Sequence, residues 1–191
     1  PKDVKKNNGT QCGDVLILTK PLGVGLTLNA LRMDDCSKEM QERVFKSMTT
    51  LNKYACDVLK KYDVHALTDV TGFGLLVHLN EMLDEKNSAV IYKDSIPYFD
   101  DCQKYVEEFY LSGAAQTNRN SVEGKISFDC DFFTEEILFD PQTSGGLLAS
   151  VSKADLEMLE KDFKENNLEL HVVGEVIEKN EYNVYVRGRK I

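Results

Sequence analysis

The chain has 191 residues, 42% of them hydrophobic and 29% charged, with a formal net charge of -9. That length and apolar share provide for an ordinary buried core, in one large domain or two small ones. The acidic balance excludes nonspecific nucleic-acid binding, which needs clustered Lys and Arg against phosphate, and no apolar run is long enough to span a bilayer as a helix.

The five cysteines, Cys12, Cys36, Cys56, Cys102 and Cys130, are widely spaced, odd in number and contain no C-x-x-C pair. They spell neither a zinc site nor a disulfide framework, and with no signal-peptide pattern the expected location is the reducing cytoplasm. Cys56 reads as a small core residue and Cys12, beside Gly9 and Gly13, as an exposed thiol.

Residues 1–12 are rich in Lys, Asn and Gly without apolar periodicity, which predicts a flexible lead-in or interdomain connection. Residues 13–191 are expected to form one domain, since no interior linker interrupts them. The run at 15–18 is β-branched and aliphatic, a buried strand that stops at Thr19-Lys20-Pro21. Gly23-Val24-Gly25 lacks the third glycine of a dinucleotide loop and reads as a turn into a helix, with Lys20 available to face a phosphate. Met40, Val44, Met48, Leu51, Ala55 and Leu59 then form one stripe, predicting a single amphipathic helix over 37–61 with Ser37 as its N-cap.

The short apolar run at 64–67 suits another buried strand, and Leu75, Leu76, Leu79 and Leu83 repeat at helical spacing to about residue 85. Between them stands Thr68-Asp69-Val70-Thr71-Gly72-Phe73-Gly74. Glycines let the backbone approach a ligand, the following helix start offers unpaired N–H groups, and Asp69 is an oxygen donor suited to a divalent cation. The competing reading is that Asp69 or Thr71 caps the helix and the glycines only make a tight loop. His78, on this helix, His65 and His171 form no recognisable metal triad, and none is read as catalytic.

Further along, 89–92 reads as a strand and 98–110 as a helix with Cys102, Val106 and Phe109 on one face. Residues 112–120, with Arg119 and Asn120, read as an exposed loop, 125–128 as a short strand, and 134–137 as one helical turn. Asp140-Pro141-Gln142-Thr143-Ser144-Gly145-Gly146 again joins an acid, hydroxyls and paired glycines, just before an apolar strand at 147–151. Asp140, Thr143 and Ser144 either face a ligand cleft or stabilise this loop. A capping-box pattern at 152–155 opens a helix ending near Asn166-Asn167, and strands at 170–177 and 182–186 close the chain, with Gly174 marking a bulge or a close approach. Mixed strands and helices in this order predict an α+β fold, a mixed β-sheet covered by helices.

Thr19-Lys20-Pro21-Leu22-Gly23, Thr68-Asp69-Val70-Thr71-Gly72-Phe73-Gly74 and Asp140-Pro141-Gln142-Thr143-Ser144-Gly145-Gly146-Leu147-Leu148 together resemble selenophosphate synthetase, in the family's order and at similar separations. The resemblance implies a fold of the aminoimidazole ribonucleotide synthetase C-terminal type. It also implies the reaction of selenide, ATP and water to selenophosphate, AMP and phosphate. The chain looks like the second half of such an enzyme, contributing one wall of the Mg-ATP site and inactive alone. No stretch resembles the family's catalytic Cys or selenocysteine and Lys segment, so no catalytic residue is assigned, and the missing N-terminal half is the implied partner. By resemblance Asp69 takes the Mg2+ role, and Thr68, Thr71 and Gly72 shape the cofactor site, with ATP and selenide as substrates. The full-length enzyme is expected as a homodimer through the absent half, and this piece as a monomer. Relatives carry a proline and further glycines in the loop at 112–120, which are absent here, and commonly a glycine where Val77 stands. The alternatives are a non-catalytic regulatory or binding module of the same superfamily, or another ATP-using relative.

Overall fold

The computed structural model describes residues 5–189. Its strands are β1 (Val15–Leu18), β2 (Val64–Asp69), β3 (Asn87–Tyr92), β4 (Ile126–Phe128), β5 (Leu147–Val151), β6 (His171–Glu178) and β7 (Val184–Arg187). They form one sheet in the order β2-β5-β1-β6-β3-β7-β4. Pairing is antiparallel from β2 through β3 and parallel for β3–β7 and β4–β7, so the sheet is mixed, as expected. Eight α-helices accompany it among the described residues: α1 (Val24–Arg32), α2 (Lys38–Thr49), α3 (Lys53–Leu59), α4 (Gly74–Met82), α5 (Cys102–Glu107), α6 (Gly113–Ser121), α7 (Phe132–Phe139) and α8 (Leu156–Glu165).

The alternation of side chains along β1 divides the core. Leu16 and Leu18 join the larger apolar cluster with residues of α1, α2, α4, α5, α6 and α7, while Val15 and Ile17 join a second cluster with α3 and α8. β1 is covered on both sides, which is why it reads as an unbroken apolar run. Gly174 lies where β6 shifts register against β1, and a Cβ there would fall on the Val90 carbonyl oxygen. The close approach read from the sequence is therefore present.

Several expectations need correction. The helix over 37–61 is two helices: the stripe is kept through Met40 and Val44, but Leu51 is 61% exposed at the break. Thr49 and Thr50 turn their hydroxyls back onto the Phe45 and Lys46 carbonyls, and the Thr50 carbonyl accepts from Lys20 Nζ instead of continuing the helical ladder. Ser37 does cap α2, accepting from the Met40 N–H at 3.1 Å. The helix over 98–110 shortens to α5, and Phe109, with φ 58°, leaves the apolar face for solvent. Residues 113–121 form α6 instead of an exposed loop, because Asn118 and Arg119 find partners on neighbouring elements. The single turn at 134–137 extends to the whole of α7, capped by Asp131, whose side chain accepts from the Thr134 N–H at 2.8 Å.

In the segment expected as a flexible lead-in or interdomain connection, residues 5–12 run from the edge strand β2 across to the start of β3. The Leu67 N–H donates to the Lys6 carbonyl at 2.9 Å, Thr10 is buried, and Asn87 Nδ2 donates to the Thr10 carbonyl at 2.6 Å. Residues 1–4 of that expected lead-in lie outside the described residues.

Candidate functional site

Antiparallel pairing places β5 between β1 and β2, with Leu18 opposite Leu148 and Asp69 opposite Leu147. The ends of β1 and β2 and the start of β5 therefore share one edge, and the three motif segments meet there. Val70 N–H donates to the Gly146 carbonyl at 2.8 Å, and Gln142 N–H to the Thr71 carbonyl at 3.1 Å. Leu147 N–H donates to Thr19 Oγ1 at 2.8 Å, and Lys20 Nζ to the Ser144 carbonyl at 2.8 Å. The paired glycines make this possible. A Cβ on Gly146 would stand 2.5 Å from the Lys20 nitrogen, and one on Gly145 would fall on the Val70 carbonyl oxygen.

In the segment after β2, Asp69 is exposed, and its carboxylate makes no hydrogen bond or ion pair among the described residues. Phe73 is the N-cap of α4, without a side-chain cap bond, so neither Asp69 nor Thr71 serves the capping role considered above. The loop is shaped from below instead. Thr71 N–H donates to His78 Nε2 at 3.2 Å, with Thr71 Oγ1 2.8 Å from the same nitrogen, and His78 Nδ1 lies 3.4 Å from Glu81. An Nε2 that accepts from the backbone sets the tautomer with the proton on Nδ1, toward Glu81. Asn118 Nδ2 donates to the Gly72 carbonyl at 2.9 Å and to the Phe139 carbonyl at 3.1 Å. Gly74, with φ 74°, seats the start of α4 against the end of α7, where a Cβ would stand 2.8 Å from the Phe139 carbonyl oxygen.

Gly72 is different from these packed glycines, since a Cβ there would meet nothing within 4 Å. Thr68 is half-buried on β2, its hydroxyl 3.5 Å from the Asp69 carbonyl oxygen. Thr68, Asp69, Thr71 and Gly72 thus share one strand end and loop, with Phe73 58% exposed beside them.

The second acidic motif divides. Thr143 and Ser144 are exposed, but Asp140 is 1% exposed and turned inward, where it accepts from the Gly25 N–H at 2.9 Å and from Gln142 Nε2 at 2.9 Å. With Gln142 Oε1 accepting from the Val24 N–H at 3.3 Å, it satisfies the start of α1 from across the chain. Burial raises the Asp140 carboxyl to about 7, against the lowering effect of its donors, and its Oδ1 is buried without a hydrogen-bond partner among the described residues. Asp140 is therefore a buried support for the loop and not a cleft residue. Arg119, read above as exposed, pairs with Glu135 at 2.7 Å and Glu136 at 2.5 Å and lies over the Phe139 ring, joining α6 to α7. Sequence reasoning missed His78 and Asn118 as supports of the loop. His78, seven residues after Thr71 and on the helix that follows it, was the one signal available.

The chain matches the family described as AIR synthase related protein, C-terminal domain, over residues 11–187. It is 43% identical over 188 residues to "Selenide, water dikinase" of Agathobacter rectalis, covering 97% of this chain and 55% of that protein. It is 40% identical over 185 residues to the protein of the same name from Desulfitobacterium hafniense strain DSM 10664 / DCB-2, covering 96% and 54%. The chain spans about half the length of the curated relatives it matches. Among solved structures, E. coli HypE, a hydrogenase maturation protein, superposes with a TM-score of 0.68 at 18% identity, covering 95% of this chain and 48% of that one. Thiamine monophosphate kinase from Aquifex aeolicus does so with 0.59 at 18% identity, covering 98% and 54%. At those identities the likeness is one of fold.

Proposed function

The chain belongs to the AIR synthase related protein family, whose C-terminal domain it carries, and on that premise we propose that it is the C-terminal part of a selenophosphate synthetase. The whole enzyme would convert selenide, ATP and water into selenophosphate, AMP and orthophosphate. The observation that carries this reading is the exposed Asp69 carboxylate, without a hydrogen-bond or ion-pair partner among the described residues, at the strand end where three motif loops interlock. The names of the relatives at about half their length support it.

Mg2+ enters through the family resemblance, and the donor set suits it in part. Asp69 offers one hard oxygen ligand, while among the described residues no group of three or more His, Cys, Asp and Glu side chains could hold a metal. Mg2+ is ordinarily held by one or two carboxylates together with substrate phosphates and waters, so a single carboxylate is an adequate share for this domain. When bound, the ion would neutralise charge on the phosphate oxygens during transfer. Asp69 would hold it, and Thr68, Thr71 and Gly72 would line the nucleotide side. His78 and Asn118 would keep Thr71 and Gly72 in place, so that no reorganisation is needed when ligand arrives. The reactive Cys or selenocysteine, its Lys and the homodimer contact belong to the N-terminal half in this reading, which leaves this chain alone inactive and monomeric. Among the described residues no helix is long and apolar enough to cross a membrane, and the five cysteines are free, which suits a reducing cytoplasm.

The test uses the full-length enzyme. Asp69→Ala is expected to abolish ATP-dependent phosphate release while leaving the thermal midpoint nearly unchanged, since the carboxylate supports nothing else. Wild-type turnover in that variant would remove Asp69 from the mechanism. For the 191-residue chain alone, titration with Mg2+ and ATP is expected to give weak or undetectable binding at this loop.

A further inference from the structure

Asp14, at the entrance to β1, is a buried carboxylate. Its Oδ2 accepts from Ser150 Oγ at 2.5 Å and from the Gln11 N–H at 2.9 Å, and its Oδ1 lies 2.8 Å from His65 Nδ1. Ser150 and Gln11 are neutral donors and bring no charge. The second nitrogen of His65, Nε2, faces Asp63 Oδ2 at 3.1 Å. An ionised carboxylate only accepts hydrogen bonds and a neutral imidazole has one N–H, so both contacts are hydrogen bonds only in the imidazolium. No Lys or Arg pairs with Asp14 or Asp63 among the described residues, which leaves His65 as their cation. Neighbouring elements supply no substitute. β5 contributes only Ser150, Asp155 at the N-cap of α8 accepts from the Asp63 N–H at 2.9 Å, and Glu175 on β6 is hydrogen-bonded with Tyr92. Burial works against charge on His65, but hydrogen bonds and charge from Asp14 and Asp63 raise its pKa above the ordinary 6.5.

The same pair of residues fastens the segment at 5–12. Gly9 lies against the His65 carbonyl oxygen, where a Cβ would stand 3.3 Å away, and the Gln11 N–H is held by Asp14. The Gln11 carbonyl in turn accepts from the Asp14 N–H at 3.0 Å, closing a turn beside the carboxylate. With His65 charged, Asp14 is neutralised in place and this turn stays shut. Without the proton, one imidazole nitrogen presents a lone pair to a carboxylate, and Asp14 becomes a buried charge with no counter-ion, which is costly. Water reaches Asp14 most directly by lifting the turn, because Gln11 and Cys12 are exposed whereas β1 and β5 are buried throughout. We propose that His65 is a proton-operated latch: its imidazolium, bridging Asp14 and Asp63, holds residues 6–12 against β2, and loss of the proton releases them. The segment is held at pH below 6.5 and freed as pH rises through the folded value. The strand it uncovers is the one that ends in Asp69, yet the latch does not depend on the Mg2+ reading.

The experiment is tryptic cleavage after Lys6 of the 191-residue chain, read by mass spectrometry from about pH 6 to about pH 8.5. Each rate is divided by that of a free peptide of residues 2–12, which removes the protease's own pH dependence. The Lys6 carbonyl is held by the Leu67 N–H at 2.9 Å, so cleavage there requires release of the segment. The normalised rate is expected to rise about tenfold across this range, the scale of one hydrogen bond to a charged group. Its midpoint should coincide with the titration of the His65 ring followed by NMR. His65→Gln, neutral at every pH, is expected to show at the acid end the fast rate that wild type reaches only at the alkaline end. Asp63→Asn, a change at an exposed side chain that keeps the fold, should move the midpoint to lower pH. Cleavage confined to the start of the chain separates release from global unfolding. A normalised rate that is flat with pH, a pH dependence that survives His65→Gln, a midpoint unmoved by Asp63→Asn, or cleavage spreading through the chain in step with Lys6 would overturn the proposal.

Discussion

Replacing Gly146 with alanine tests whether the interlocked loops depend on a contact that only glycine permits. The added Cβ would stand 2.5 Å from the Lys20 nitrogen, 2.9 Å from Lys20 Cβ and 3.1 Å from the Thr19 carbonyl carbon, where real Cβ atoms essentially never come closer than 3.0 Å. The relief required is the difference between 3.0 and 2.5 Å, about 0.5 Å, and it must come from backbone. Moving Gly146 away from Lys20 stretches the 2.8 Å bond its carbonyl accepts from Val70, and moving Lys20 disturbs the two bonds of its ammonium. Overpacking of this kind costs about 1–3 kcal/mol, and a weakened backbone hydrogen bond adds about 1 kcal/mol. For a chain of this length the sum of about 2–4 kcal/mol lowers the thermal midpoint by roughly 4–15 °C. Differential scanning calorimetry at pH 7 measures it, with Gly72→Ala as the comparison, because a Cβ there meets nothing within 4 Å. Gly72→Ala is expected within about 2 °C of wild type, in line with the small effect of Gly→Ala where the backbone is compatible. A Gly146→Ala midpoint as close to wild type as that would refute the account of why the paired glycines are there.

Two further outcomes concern pH. The Asp140 carboxyl is raised by burial to about 7, so between its unfolded value near 3.8 and about 7 the folded chain binds the extra proton. Stability then falls as pH rises through that window and levels off above it. Urea midpoints of wild type relative to Asp140→Asn should decline from pH 4 to pH 7, and a pH-independent difference would show that Asp140 does not titrate in this way. His65 has the same sign for a different reason, since its charged form is the one stabilised. Burial lowers its pKa, but hydrogen bonds and charge from Asp14, 2.8 Å away, and Asp63 raise it above its ordinary 6.5 overall. Its contribution is full below 6.5 and lost as pH rises through the folded value. The stability difference between wild type and His65→Ala should therefore shrink from pH 6 to pH 9, and growth over that range would contradict the pairing.

The strands were legible because each needs only a short apolar or alternating run, and β1, β3, β5 and β6 supply one. The break between α2 and α3 was not, since the stripe continues past it and the cause is Lys20, thirty residues earlier, holding the Thr50 carbonyl. α6 was hidden because its sequence is polar, and it is held by Arg119 on Glu135 and Glu136 and by Asn118 on Gly72. In the site, Asp69 and Asp140 look alike in sequence, each an acid before threonine and glycine. What separates them is Gly25, whose N–H reaches Asp140 from 115 positions away. Such long-range partners leave no local trace, whereas the family resemblance joined the three motifs before their contacts were known.

The segment at residues 5–10 has a further consequence. β2 is the outermost strand on its side, and the Lys6 carbonyl occupies the Leu67 N–H that would otherwise face outward. Outermost strands with unpaired backbone groups are templates for self-association, and this one is covered at Leu67 by a stretch resembling dispensable linker. A shortened version starting at the first strand would keep the whole core and yet present an open seam, so recombinant boundaries drawn at Gly13 invite precipitation that the interior packing would not explain.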